Sequence, residues 1–297
     1  MFIINFNKKM TKLKKIIIKI RNYTRDYPYK PIEIETLGNR SLSSETFKIP
    51  LHCIQTWEEN LFPRTHRNSI ELFRAKNSSF TFQLFDRDQR EKFMFQYWGS
   101  HEIYKIYQDS RFGVMQADIF RYCALYTLGG FYVDIAKSPP DTMLSYLSSD
   151  PKMVLFAEKE MNTPHLYPVP TEILNVLTIE ESFMPILNSM MGCIPEHPLL
   201  KRAIDKIVHR WKYFKNLELK YPRYGILSLT GPAMLLQAYH EYMQIESSRG
   251  MIKVIPLSDL RSINLIGSEA RWVRFPSYMD ARYVSLSLSS SIHKSQL

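Results

Sequence analysis

Short apolar runs alternate along this chain with longer stretches whose apolar positions recur every three to four residues. Leu51–Trp57 and Phe80–Phe85 read as buried strands, and between them Pro63 opens a helix through Lys76 with Ile70, Leu72 and Phe73 at its apolar positions. Asp86-Arg87-Asp88 follows as a turn, then helical pattern at 88–98 and 100–109. Residues 114–128 form the clearest helix, which Gly129-Gly130 stops. Phe131–Ile135 is a short strand, Pro139-Pro140 interrupts, and a short helix lies near 141–148. Met153–Glu158 and Ile173–Leu177 read as further strands. His197–Phe214 is a long helix with Pro198 in its first turn, Gly231-Pro232 opens another to Met243, and Ile252–Ile255 is a late strand. Strands alternating with helices predict an α/β domain with a mainly parallel central sheet.

Charge divides the chain differently. Its 297 residues carry a net charge of +10, yet residues 1–22 hold Lys8, Lys9, Lys12, Lys14, Lys15, Lys19 and Arg21 and no acid. Seven of the ten net charges therefore lie in that segment, and the body is close to neutral. Leu13, Ile16, Ile17 and Ile20 share one helical face there, so the segment reads as a basic amphipathic helix suited to an anionic membrane surface. Phosphate recognition along a nucleic acid needs basic residues on the folded surface, and this distribution argues against it. No run of 18 apolar residues and no secretory signal pattern is present. Residues 23–48 read as a polar linker, 49–283 as the folded domain and 284–297 as a Ser-rich tail. Cys53, Cys123 and Cys193 are far apart, odd in number and lack metal-ligand spacing, which fits a reducing compartment.

Candidate chemistry concentrates between Gln116 and Asp134. Asp118 and Arg121 stand at i, i+3 on one helix face, and the strand after the double glycine delivers Asp134 at its C-terminal end. Ligands of open α/β sheets bind outside the carboxyl ends of strands. An acid there can hold a hard cation on a diphosphate. Asp86 and Asp88 are explained by turn chemistry, and His197 by its place before a helix-opening proline.

The run from Ala117 to Asp134, ADxxRYxxLYxxGGxYxD, closely resembles the DxD-motif sugar transferases of glycosyltransferase family 32. Further blocks occur in the family's order: PLHCIQTW at 50–57, FTFQLFDRD at 80–88, Asn188–Gly192 with Pro195–Pro198, and Leu229–Pro232. The resemblance spans about residues 49–240. It implies a GT-A fold and retaining transfer from a nucleotide sugar to a glycan or glycolipid acceptor in cell-surface polysaccharide or lipopolysaccharide synthesis. It further implies donor contacts from Gln55, Thr56, Trp57, Asp118, Tyr132, Lys137 and the C-terminal His293, with Arg121 and Asp134 catalytic and Asp134 on Mn²⁺ or Mg²⁺. With the basic N-terminal segment, the expected setting is the cytoplasmic face of the cytoplasmic membrane.

One departure is sharp. The family's second acid is Ala136 here, followed at once by Lys137. Three readings stay open: a metal held by Asp134 and another ligand, Lys137 supplying part of the metal's charge, or a relative that binds sugar nucleotides without catalysis.

Overall fold

The computed structural model describes residues 29–38, 47–158, 185–245, 251–258, 263–265 and 278–290. The basic segment 1–22, the strand expected at Ile173–Leu177 and His293 lie outside them. Among the described residues seven strands form one sheet: β1 (Glu35–Thr36), β2 (His52–Thr56), β3 (Thr81–Phe85), β4 (Gly130–Val133), β5 (Met153–Glu158), β6 (Ile186–Cys193) and β7 (Ile252–Leu257). Their order is β1-β3-β2-β4-β6-β5-β7. Pairing is parallel for β2 with β3, β2 with β4 and β5 with β7, and antiparallel for β1 with β3, β4 with β6 and β5 with β6. Five strands therefore run one way, and only β1 and β6 oppose them. The expected α/β class with a mainly parallel sheet is what forms.

Side chains alternate across the strands, and the alternation sorts the core into two layers. Ile54, Tyr132, Leu155 and Met191 face the larger layer. It is covered by α2 (Arg87–Trp98), α3 (Glu102–Asp109), α4 (Gly113–Leu128), α5 (Pro198–Phe214), α6 (Pro222–Leu229) and α7 (Pro232–Met243). Cys53, Phe82, Phe131, Val154 and Met190 face the other way, toward α1 (Arg64–Lys76) and the 3₁₀ turn Met143–Leu147. All three cysteines are buried and free.

Several expectations need correction. Leu72 is 72% exposed, because α1 has only Ile70 and Phe73 of the expected three on its sheet-facing side. The supposed linker contributes β1, which bonds the edge strand β3, and Ile32, which is buried against Phe62 and Ile70. The supposed tail is docked as far as Ser290: Arg111 donates to the carbonyls of Ser285 and Ser287, and the Ser287 hydroxyl donates to Asp109. Serine there serves as a hydrogen-bond partner rather than as a flexible spacer. Asp86 caps α2 in a reciprocal box with Gln89, as its turn chemistry predicts. Among the described residues no helix is long and apolar enough to cross a membrane.

Candidate active site

Two glycines set the geometry. Gly129 and Gly130 have φ of 67° and 82°, a region that L side chains rarely adopt. A Cβ on Gly129 would lie 2.6 Å from the Pro195 ring, and one on Gly130 would lie 2.7 Å from His52. The chain therefore reverses within two residues, and α4 feeds straight into β4. Parallel pairing of Ile54 with Tyr132 then brings the carboxyl ends of β2 and β4 to one sheet edge. Trp57 and Asp134 follow those ends directly.

α4 is buried on nearly every side, so its charged pair has to be satisfied from within. Arg121 Nη2 lies 3.2 Å from Asp118 Oδ1 and 3.3 Å from Asp134 Oδ1, and Nη1 donates to the Asn188 carbonyl at 2.6 Å. Its guanidinium sits over the Tyr132 ring, 4.7 Å from the centroid. Asp118 also accepts from Asn188 Nδ2 at 3.0 Å and from the Thr230 hydroxyl at 2.9 Å. The Tyr122 hydroxyl donates to the Thr230 carbonyl, and that of Tyr132 to Asp134 Oδ1 at 2.7 Å. Side chains from α4, β4, β6 and the turn before α7 thus close one network. Exposure separates its members: the side chains of Asp118 and Arg121 are 5% exposed, whereas Asp134 is 32% exposed. Asp134 is the carboxylate presented outward, and Arg121 holds it in place from below.

Burial pushes the Asp118 carboxyl up to about 6, against the pull of Arg121, Thr230 and Asn188. Burial works against the Arg121 charge, but Asp134, Tyr132 and Asp118 together outweigh it and raise its pKa. Tyr278 stands at the same site, its pKa raised by burial and by the fields of Asp118 and Asp134.

The other expected residues divide. Gln55 is fully buried and accepts from Nε and Nη2 of Arg74, both at 3.1 Å, which ties β2 to α1. Thr56 donates to the Phe85 carbonyl at 2.7 Å and accepts from Arg90 at 2.9 Å. Gln55 Oε1 and the Thr56 hydroxyl are thus engaged inside the fold and anchor β2. Trp57 is half-buried and packs against the small cluster that holds Ile32, Phe62 and Ile135. Arg90 fixes the end of β2 by bonding the Trp57 carbonyl and by pairing with Glu58 at 2.7 Å. Lys137 donates to Asn264 Oδ1 at 2.5 Å. His197 caps α5 through Nδ1, the structural use expected of it. Sequence reasoning assigned no role to Asn188, Thr230, Tyr122, Arg90 or Tyr278. Tyr122, Asn188 and Thr230 did lie inside blocks that carry the family resemblance, which was the one available signal.

A metal of the expected kind takes several oxygen ligands. Tyr132 and Arg121 already engage Oδ1 of Asp134, and Ala136 offers no side-chain oxygen. Among the described residues no group of three or more His, Cys, Asp or Glu could hold a metal ion.

Comparison with known proteins places this geometry. The model of the family described as "Glycosyltransferase sugar-binding region containing DXD motif" matches residues 63–158, which include Asp118, Arg121 and Asp134. That segment is similar to the sugar-binding region of that family. A curated relative is the initiation-specific alpha-1,6-mannosyltransferase of Schizosaccharomyces pombe, 20% identical over 235 residues and covering 74% of this chain. The alignment takes in 56% of that relative, so the chain spans little more than half its length. Among solved structures, the PaToxG glycosyltransferase is 16% identical, with a TM-score of 0.43 over 82% of this chain and 83% of that one. The UDP-bound glycosyltransferase domain from the YGT toxin is 11% identical, with a TM-score of 0.37 over 66% of this chain and 57% of that one.

Proposed function

We propose that this protein is a retaining glycosyltransferase of GT-A type that moves a sugar from a nucleotide-sugar donor to a hydroxyl of a glycan or glycolipid acceptor. One observation carries the reading. Within the matched sugar-binding region, a buried arginine holds an outward-facing carboxylate, Asp134, at the carboxyl end of a central strand, beside a half-buried tryptophan. A nucleotide base can stack on Trp57, and donor hydroxyls can bond the outward oxygen of Asp134. The pieces that hold these groups are locked by packing and hydrogen bonds, so little reorganisation is left for the moment of reaction. Arg121 acts here through Asp134, as a positioning residue. The name of the yeast relative, a mannosyltransferase, agrees with sugar transfer. Cell-surface polysaccharide or lipopolysaccharide synthesis at the cytoplasmic face of a membrane is the setting we propose, with residues 1–22 on anionic lipid.

Ala136 favours a second reading, a relative that binds sugar nucleotides without turning them over. A hydrolysis screen over nucleotide sugars, run with Mn²⁺, Mg²⁺ or chelator, separates the two. The transferase reading expects turnover of at least one donor. It also expects Asp134→Ala to lower kcat by about 10²–10³-fold while melting like the parent. Binding of UDP or GDP without any turnover supports the inactive relative. Absence of both binding and turnover refutes the site.

A further inference from the structure

Arg121 shares one nitrogen between two acids. Its Nη2 lies 3.2 Å from Asp118 Oδ1 and 3.3 Å from Asp134 Oδ1, so the place of the guanidinium, and with it that of the outward carboxylate, depends on how Asp118 is held. From outside its own helix Asp118 is held by Asn188 on Oδ1 and by Thr230 on Oδ2. We infer that Thr230 is a positioning residue for turnover: its buried hydroxyl fixes Asp118, and through Asp118 the Arg121 guanidinium that holds Asp134. The inference rests on the transferase reading above.

Three observations separate this role from ordinary turn chemistry. First, the hydroxyl has a choice of acceptor. A threonine at a helix end can return its proton to the carbonyl four residues back. Here that carbonyl, of Ile226, is 3.4 Å away, whereas Asp118 Oδ2 is 2.9 Å away. A hydroxyl has one proton, and the shorter contact to a carboxylate takes it. Among the described residues Thr230 is the one donor to Oδ2. Second, the backbone of the turn is held without this bond. The Tyr122 hydroxyl donates to the Thr230 carbonyl at 2.8 Å, and Thr230 N and Gly231 N both bond the Ile226 carbonyl, at 3.0 and 2.9 Å. What the hydroxyl adds therefore falls on Asp118. Third, Tyr122 stands one helical turn beyond Asp118 on α4, and Asn188 Nδ2 bonds both Asp118 Oδ1, at 3.0 Å, and the Tyr122 oxygen, at 3.2 Å. Asp118, Asn188, Tyr122 and Thr230 thus close a ring of hydrogen bonds, all four residues buried. Its donors to the carboxylate are neutral. They orient Asp118 without cancelling its charge, which is left for Arg121.

Removing the hydroxyl leaves Oδ2 buried and unpaired. The carboxylate then turns toward other donors, and its pull on Arg121 Nη2 changes direction. A misplacement of about 1 Å passed on to Asp134 is enough to cost about 10²-fold in rate. Trp57 follows β2, to which Thr230 makes no bond among the described residues, so the nucleotide end of donor binding is spared.

The test uses the full chain and the donor found in the hydrolysis screen. Thr230→Val keeps the shape and loses the hydroxyl, and Thr230→Ser keeps the hydroxyl. Thr230→Val should lower kcat by about 10–10²-fold with donor KM within about threefold of the parent, and Thr230→Ser should restore most of the kcat. Thermal melting of each variant reports folding. Should the valine variant melt early, Thr230→Ala is compared with Thr230→Ser below their melting temperatures; the two differ by the hydroxyl alone, and the same split between kcat and KM is expected. Turnover by a well-folded hydroxyl-free variant that matches the parent, a loss that falls on KM alone, or a serine variant as slow as the alanine one overturns the inference and leaves the transferase reading standing. No turnover of any donor by the parent overturns both.

Discussion

Replacing Asp118 by asparagine removes one buried charge and little else. The new amide has nearly the same shape, can still accept from Asn188, and faces a Thr230 hydroxyl that also has the Ile226 carbonyl within reach at 3.4 Å. The magnitude follows from the proton. Burial raises the Asp118 pKa from 3.8 to about 6 in the native protein. Below about pH 4 both native and unfolded states hold the proton, and this contribution to stability is fully present. Between pH 4 and 6 the unfolded chain releases its proton while the native state keeps it. Above 6 the native protein must ionise a buried carboxyl, and the contribution is lost. Two pKa units correspond to about 3 kcal/mol. Urea denaturation of parent and Asp118→Asn from pH 4 to 7.5 should therefore show the parent losing about 3 kcal/mol relative to the variant as pH rises. The difference between the two curves is used because titrating groups remote from Asp118 cancel from it. Parallel curves, or a variant that loses ground toward neutral pH, would refute the reasoning: Arg121 would then be stabilising the ionised form more than burial penalises it.

The remaining predictions concern other parts of the molecule. His197 is buried with its pKa lowered to about 4 by burial and by the nearby charge of Lys152, so its contribution is present above about pH 6.5 and lost as pH falls toward 4. His197→Asn, which can still cap α5, should flatten that acid limb in denaturant titrations; an unchanged limb would show that His197 is not its source. Trp57→Ala should raise the donor KM by about tenfold or more with a smaller effect on kcat, since stacking of a base is worth roughly 1–3 kcal/mol. A variant that melts early with unchanged KM would make Trp57 a packing residue alone. Deleting residues 1–22 should release the protein from anionic vesicles and leave donor turnover intact, each basic group near the surface contributing about 1 kcal/mol. Equal vesicle binding by the truncated form would end the anchor reading.

Much of this protein was determined locally and could be read from its sequence. Helix starts at Pro198 and Pro232, the stop at Gly129-Gly130 and the strands at 52–56, 81–85 and 153–158 follow from residue propensities and from apolar spacing within a few turns. The Asp118–Arg121 pair follows from i, i+3 spacing, and the position of Asp134 from one short strand after a forced turn. What decided the site came from farther away. β6 enters between β4 and β5 in the opposite direction, and its Asn188-Ser189 breaks the apolar run that would have revealed it. Asn188 lies 70 residues from Asp118 and Thr230 lies 112, yet both bond its carboxylate. The short α6, the docking of Ser285–Ser290 and the outward turn of Leu72 likewise depend on which surfaces meet. Periodicity states that a residue faces inward; it does not state what it faces. A buried charge adds a stricter demand, because each of its hydrogen-bonding atoms must find a partner wherever the chain can supply one. Those partners exist only once the sheet order is set, and so the tertiary structure alone turned two acids and an arginine into a site with one carboxylate facing out.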